Sequence, residues 1–171
     1  MKYFIFFIGA LFFGACSFDY GGTSGKDDDR PTLVLSDVEY IRMENGELIL
    51  QFEADTVERF DAKSLMKCEN FSFEHFENQT AGQADTVSIE LETGNLTMDG
   101  NIVVTSDSEE TTITTGHLEW DDTKRTITGS PDDHTSIEKA DGTSMSGWGF
   151  SAQLNSKSWE FSEGGQGFKN E

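Results

Sequence analysis

The side chains best suited to catalysis or metal binding are scattered along this sequence. His75, His117 and His134 have no spacing, with one another or with cysteine, that is typical of a zinc site. Asp132-Asp133-His134 and the acidic run 27–29 could attract calcium, but neither has the oxygen spacing of a known calcium loop. No Gly-x-Ser-x-Gly elbow, phosphate-cradling loop or dinucleotide fingerprint is present. We therefore expect a protein that is not an enzyme, without a metal, a cofactor or catalytic residues.

One cysteine stands where a lipid could be attached. Lys2 is followed by an apolar run that ends at Ala15 and is too short to span a membrane, which takes about 20 residues. The small residues Gly14 and Ala15 suit a lipoprotein signal peptidase, which cleaves before a cysteine that carries diacylglycerol. We predict a lipoprotein signal peptide over residues 1–15 and a lipid anchor on Cys16. The alternative is an ordinary signal peptide or an uncleaved anchor, with Cys16 there by chance.

The charge balance limits the possible partners. The chain has 32 acidic and 12 basic residues and a formal net charge of -20. Such a surface repels nucleic acid and anionic headgroups, so a bound lipid must be held chiefly by its acyl chains. The simplest interpretation of the charge is the solubility of an exported protein.

The composition divides the chain into one domain and flexible ends. Residues 16–31 are rich in glycine and aspartate and should form a flexible acidic tether. We place one folded domain at residues 32–165 and a flexible tail at 166–171. Cys68 should be a buried, inert thiol, because acylation of Cys16 leaves it no partner for a disulfide.

The pattern of apolar residues predicts an all-β fold. Apolar residues alternate with polar ones along many short segments, such as Leu48, Leu50 and Phe52, and none keeps a helical period. Short links would join these strands into an antiparallel meander with one polar and one apolar face. The residues alone leave open whether the sheet forms a sandwich, a closed barrel or an open V. The turns are expected at Glu44-Asn45-Gly46, Thr93-Gly94-Asn95, Asp99-Gly100-Asn101, Asp121-Asp122, Ser130-Pro131-Asp132 and Asp141-Gly142.

Several phrases recur in a fixed order. They run from Leu96 to Val104, from Thr115 to Asp121, and over Gly147-Trp148-Gly149-Phe150. In this order and spacing the sequence resembles the LptC component of lipopolysaccharide transport, and more broadly the OstA-like repeat that LptC shares with the LptA bridge protein. The resemblance covers roughly Leu33 to Phe161. It implies a single antiparallel V-shaped β-jellyroll.

The resemblance also implies a function. Such a protein would carry the acyl chains of lipopolysaccharide or a related glycolipid in an apolar groove. It would receive them from inner-membrane ABC transporter subunits and pass them to a periplasmic LptA-like bridge protein. The expected location is the periplasm, with the N-terminal lipid in the inner membrane. The residues expected to line the groove are Leu48, Leu50, Phe52, Phe71, Phe73, Val87, Ile89, Leu91, Leu96, Met98, Ile102, Val104, Ile113, Leu118, Trp120, Ile127, Trp148 and Phe150.

A second hypothesis belongs to a different class. The same inward residues could fill a closed core, as in a surface or structural lipoprotein that binds protein partners. Ser17 and Phe18 lack the aspartate that retains lipoproteins in the inner membrane of enteric bacteria, so an outer-membrane anchor also stays open.

Overall fold

The computed structural model describes residues 29–153 and 158–168. These residues form β-strands and one 3-10 turn at Asp61–Lys63, in agreement with the all-β prediction. The described ranges contain no helix that could span a membrane. The strands are β1 (Leu33–Glu44), β2 (Glu47–Phe60), β3 (Leu65–His75), β4 (Thr80–Glu90), β5 (Leu96–Ser106), β6 (Thr111–Asp121), β7 (Thr126–Gly129), β8 (His134–Lys139), β9 (Ser144–Gln153) and β10 (Ser158–Phe168).

The ten strands form one antiparallel sheet. They lie in the order β1-β2-β3-β4-β5-β6-β7-β9-β10, with β8 paired between β6 and β9. Except for β7 and β8, strands that are neighbours in sequence pair with each other. The turn at Asn45-Gly46 shows why asparagine and glycine suit a hairpin. Both adopt the left-handed conformation, with φ of 52° and 87°, which matches the twist of the flanking strands.

One predicted turn is wrong. Asp99-Gly100-Asn101 lies inside β5, and the two strands expected on either side of it are one strand. Gly100 and Asn101 do have the positive φ of a turn, 77° and 45°. Here that conformation inserts one extra residue into the ladder, and the pairing with β6 is interrupted between Asp99 and Ile102. The strand bends and continues.

The same bend recurs across the sheet and defines a line that we call the crease. Asp37 in β1 and Asn70 in β3 are also left-handed, with φ of 52° and 49°. Asn70 lies where the β2–β3 and β3–β4 pairings skip residues. The neighbouring strands β2 and β4 carry Asp55 and Asp85 at this line. Asp55 accepts a side-chain hydrogen bond from Asn70, and Asp85 accepts one from Asn101.

The crease divides the sheet into two walls. The chain crosses it about every 15 residues, so the hairpins alternate between the walls. We call 38–54, 71–84, 102–115 and 134–147 wall A, and 33–36, 56–69, 86–99, 117–129, 150–153 and 158–161 wall B. Side chains from both walls line one cavity, described below, so the walls face each other as in a V. The LptC-type β-jellyroll expected from the resemblance accounts for this arrangement.

The buried core follows the inner side of the crease. Small residues alternate with larger ones there, among them Ala54, Cys68, Ala84, Ile102 and Phe150. At the break between β7 and β8, where Pro131 ends the strand, the core contains two hydroxyls instead. Thr115 and Thr135 are buried and hydrogen bonded to each other over 3.0 Å.

The ends of the described chain can be compared with the expected domain bounds. β1 begins at Leu33 and β10 ends at Phe168, so the strand extends into the expected tail. The end of β10 could not be seen as a strand in the sequence because Gly164, Gly165 and Gly167 have no side chains to alternate. The predicted signal peptide, Cys16 and most of the tether lie outside the described residues.

Candidate functional site: the apolar groove

A cavity of about 400 Å³ lies between the two walls. Wall A contributes Leu50, Phe52, Phe71, Phe73 and Val104, and wall B contributes an equivalent set of apolar side chains. The lining is apolar except for His75, Thr80 and Glu119. We call this cavity the groove. It can exclude water from a hydrocarbon chain, but it offers few polar partners to a headgroup.

The structure brings together twelve of the eighteen residues that the sequence assigned to the groove. Alternation places them on the inner face, and the bend at the crease turns both halves of that face toward one space. These twelve are Leu50, Phe52, Phe71, Phe73, Val87, Ile89, Leu96, Met98, Val104, Leu118, Trp120 and Ile127.

Five of the other six residues lie elsewhere on or near the inner face. Ile102 and Phe150 are buried in the core, and Ile113 packs against it. Leu48 is half-buried near the β1–β2 turn. Leu91 is 42% exposed because β4 ends at Glu90, which leaves Leu91 in the turn that follows. The assignment of Leu91 to the groove is therefore not supported.

Trp148 also departs from the expected placement. It is 40% exposed and packs its ring edge against His134, with centroids 4.8 Å apart. Gly149, with φ of 61°, interrupts the alternation between Trp148 and Phe150. As a result Gly147 and Phe150 face Phe161, while Trp148 lies over Gly164. Spacing by two residues could not reveal this reversal.

Aromatic side chains extend the groove toward both edges of the sheet. On β1, Tyr40 stacks on the groove residue Phe52, with ring centroids 4.8 Å apart. At the other edge, Phe161 of β10 contacts Phe150, and Trp159 contacts Phe161 at 6.0 Å. The inner face is thus apolar from the first strand to the last.

Sequence reasoning missed the residues that shape the crease. Ala54-Asp55-Thr56-Val57 and Ala84-Asp85-Thr86-Val87 are the same four residues, 30 positions apart. In each copy the alanine and valine are buried, and the aspartate accepts a hydrogen bond from an asparagine on the neighbouring strand. The exact repeat was the signal that could have located the crease.

Two titratable side chains of the sheet, Cys68 and His117, have shifted pKa values. Burial raises the pKa of the Cys68 thiol to about 11, so it is neutral and inert as expected. His117, on the outer face, lies between Asp99 at 2.6 Å and Glu119 at 3.5 Å. Burial lowers its pKa, but the hydrogen bonds and charges of the two carboxylates outweigh burial, so the pKa is raised. Within the described ranges, no three His, Cys, Asp or Glu residues could hold a metal ion together.

This sheet, folded around an apolar groove, can be compared with known families. The family model described as "Lipopolysaccharide-assembly, LptC-related" matches residues 3–168. The chain belongs to the LptC-related family. Its general role is therefore in lipopolysaccharide assembly and transport, as a non-enzymatic component in the periplasmic part of the cell envelope. Its partners are, in general terms, lipopolysaccharide and the Lpt system. No individually curated protein matches the chain.

Proposed function

We propose that this chain is a membrane-anchored periplasmic component that carries the acyl chains of lipopolysaccharide or a related glycolipid in the groove. The observation that carries the proposal is the apolar cavity lined by both walls. Each methylene moved from water into such a space gains about 0.8 kcal/mol. A saturated chain could therefore be held without any polar contact, and passed on without breaking one.

The edges of the sheet provide places to receive and release the lipid. Along β1 the side chains Leu33, Val34, Ile41 and Met43 are 47–60% exposed. An edge strand with exposed apolar side chains can add a strand from another protein. We assign the β1 edge to the inner-membrane ABC transporter and the β10 edge to the LptA-like bridge protein. The aromatic side chains at both edges would make the apolar path continuous across these junctions.

The anchor belongs to the same proposal. A lipid on Cys16 in the inner membrane would keep the domain beside the transporter, with residues 16–31 as its tether. Labelling with an alkyne fatty acid should tag the protein, and Cys16→Ser should remove the label. Persistent labelling of the serine variant would exclude this anchor. Separation of the two membranes should then find the tagged chain with the inner one.

The groove can be tested with a photo-crosslinking side chain placed at single positions in cells. At Ile89, Met98 and Val104 it should capture glycolipid, because these side chains line the groove. At Ser88 and Thr97, one residue away on the opposite face, it should capture little. Depletion of ATP should abolish the adducts if a transporter supplies the lipid. Equal capture on both faces, or no capture at inward sites of a folded protein, would favour the closed-core lipoprotein instead.

The β10 edge offers a matched pair of glycine substitutions. A Cβ at Gly164 would collide with the Trp148 ring, and its φ of 63° also disfavours alanine. A Cβ at Gly167 would meet Met145 at 3.7 Å and the Ser144 carbonyl at 3.9 Å, both ordinary contact distances. Gly164→Ala should loosen β10 and weaken binding of the bridge protein, whereas Gly167→Ala should not. Co-purification of the transporter should survive both substitutions. Unchanged bridge binding in Gly164→Ala would argue against assigning the bridge to this edge.

A further inference from the structure

The two rims of the groove differ in charge. The hairpin ends of wall A form one lip, at residues 44–47, 76–79, 107–110 and 140–143, which we call lip A. The described hairpin ends of wall B form lip B, at 61–64, 91–95 and 122–125. Lip A has seven carboxylates and neither lysine nor arginine. In lip B, three carboxylates are matched by Lys63, Lys124 and Arg125.

This difference matters because the chain as a whole repels anions. With a net charge of -20, an anionic headgroup is disfavoured over most of the surface. Lip B is where that repulsion is locally cancelled. A lipid whose chains lie in the groove would therefore keep an anionic headgroup at lip B and away from lip A.

Within lip B, one cation contacts a side chain that lines the groove. The Arg125 guanidinium lies over the ring of Trp120, with Cζ 4.8 Å from the ring centroid. Trp120 lines the groove, so the charge is held at the border of the apolar space. Lys63 pairs with Asp29 at 2.6 Å, as Arg125 does with Asp122 at 3.2 Å.

The local geometry holds this cation in place and leaves it accessible. Asp122 Oδ1 accepts hydrogen bonds from Trp120 Nε1 at 3.3 Å and from Arg125 Nη1 at 3.2 Å. Arg125 itself is left-handed, with φ of 56°, at the end of the turn. Its side chain is 52% exposed, and a guanidinium has five N–H donors in a fork that matches phosphate. Lys124, 74% exposed, adds a second cation beside it and pairs with Asp121 over 2.7 Å.

We propose that Arg125 and Lys124 form an anion subsite at lip B, which binds the phosphate or other acidic group of a lipid whose acyl chains occupy the groove. The subsite rests on the proposed function. It makes the cargo an anionic amphiphile and fixes its orientation, with the headgroup at the ends of β6 and β7.

The test uses the full chain in phosphatidylcholine nanodiscs, with Trp148→Phe and Trp159→Phe so that Trp120 is the only tryptophan. Its fluorescence is followed during titration with bisphosphorylated lipid A, with fully dephosphorylated lipid A, and with inorganic phosphate. The phosphorylated lipid should bind about tenfold more tightly, as expected for charge-assisted hydrogen bonds at a half-exposed site. Raising the salt concentration should reduce that preference and leave the affinity for the dephosphorylated lipid unchanged.

Substitutions in the two lips test whether lip B causes the preference for the phosphorylated lipid. Arg125→Gln should reduce it to less than about twofold, and Arg125→Lys should retain part of it. The matched control is Lys139→Gln, which removes a cation beside lip A and should keep the full preference. A wild-type chain that does not discriminate between the two lipids, or an Arg125→Gln chain that still does, would overturn the subsite.

The remaining outcomes separate the subsite from the groove. If dephosphorylated lipid A binds as tightly as the phosphorylated form, the result supports the groove as a lipid site and contradicts the anion subsite. If neither lipid binds, the proposed function fails first. A Trp120 response to inorganic phosphate equal to that for the lipid would also overturn the subsite, because the anion would then bind without the acyl chains.

Discussion

Asn101 donates a hydrogen bond from Nδ2 to Oδ2 of Asp85 over 2.8 Å, and this bond joins β5 to β4 along the crease. One hairpin earlier, Asn70 makes the same bond to Asp55 over 2.6 Å. In both pairs the asparagine is left-handed, a conformation that asparagine tolerates better than most residues. The bond satisfies the side chains at the point where the backbone ladder is interrupted. The bend therefore depends on these residue types.

The crease should be sensitive to a side chain at Gly100. Its added Cβ would collide with the Asp85 carboxylate, whereas Gly46, also left-handed, has nothing within 4 Å. Gly46→Ala should cost about 1 kcal/mol of unfolding free energy, from backbone strain alone. Gly100→Ala should cost about 2–4 kcal/mol, because overpacking adds to the strain. Urea unfolding of each variant measures the difference. Equal losses would mean that the contact with Asp85 is not close.

Gly82 should control the width of the groove. Its added Cβ would lie 2.6 Å from Cε1 of Phe73, a groove residue. Gly82→Ala should therefore push the Phe73 ring into the cavity, cost about 1–3 kcal/mol of stability and reduce glycolipid capture. Adding Phe73→Leu should restore capture by freeing space. If the double variant captures no more lipid than Gly82→Ala, crowding by Phe73 is not the cause.

The buried Thr115–Thr135 pair should show strong coupling. Thr135→Val removes one partner and leaves the buried Thr115 hydroxyl with only a weak contact to the His117 carbonyl, at 3.5 Å. We expect a loss of about 1–3 kcal/mol. Changing both residues to valine should cost less than the sum of the single changes, because no polar group is left without a partner. Unfolding free energies of the four proteins give the coupling, and strict additivity would contradict it.

His117 should make stability depend on pH. Because its pKa is raised in the folded state, its stabilising contribution is complete below its ordinary pKa of 6.5 and is lost as the pH rises through the folded value. The difference in unfolding free energy between wild type and His117→Gln should thus be larger at pH 5.5 than at pH 8.5. Asp99→Asn should flatten this dependence. A difference that grows toward alkaline pH would contradict the prediction.

Alternation was sufficient to predict the strands and to place on one face the twelve side chains that line the cavity, since a side chain's face in a regular strand depends only on its position. It failed wherever a left-handed residue interrupts the strand. Asp99-Gly100-Asn101 has the composition of a turn, and only its neighbours in the sheet make it a bend. Gly149 turns Trp148 away from the face that alternation predicts, and nothing in the sequence distinguishes Arg125 from the other lysines and arginines. Its contact with Trp120 depends on the β6–β7 turn, which composition does not specify.

Because the crease recurs at each hairpin, the groove is built from repeated units. The exact repeat of Ala-Asp-Thr-Val at 54–57 and 84–87 marks a unit of 30 residues. Each such unit adds two strands to the sheet. Strands are spaced by about 4.8 Å, so each unit lengthens the groove by roughly 10 Å without altering its cross-section. The length of the groove is therefore set by the number of hairpins, and its width by the bend. Duplication of one unit would make a longer channel for the same kind of chain.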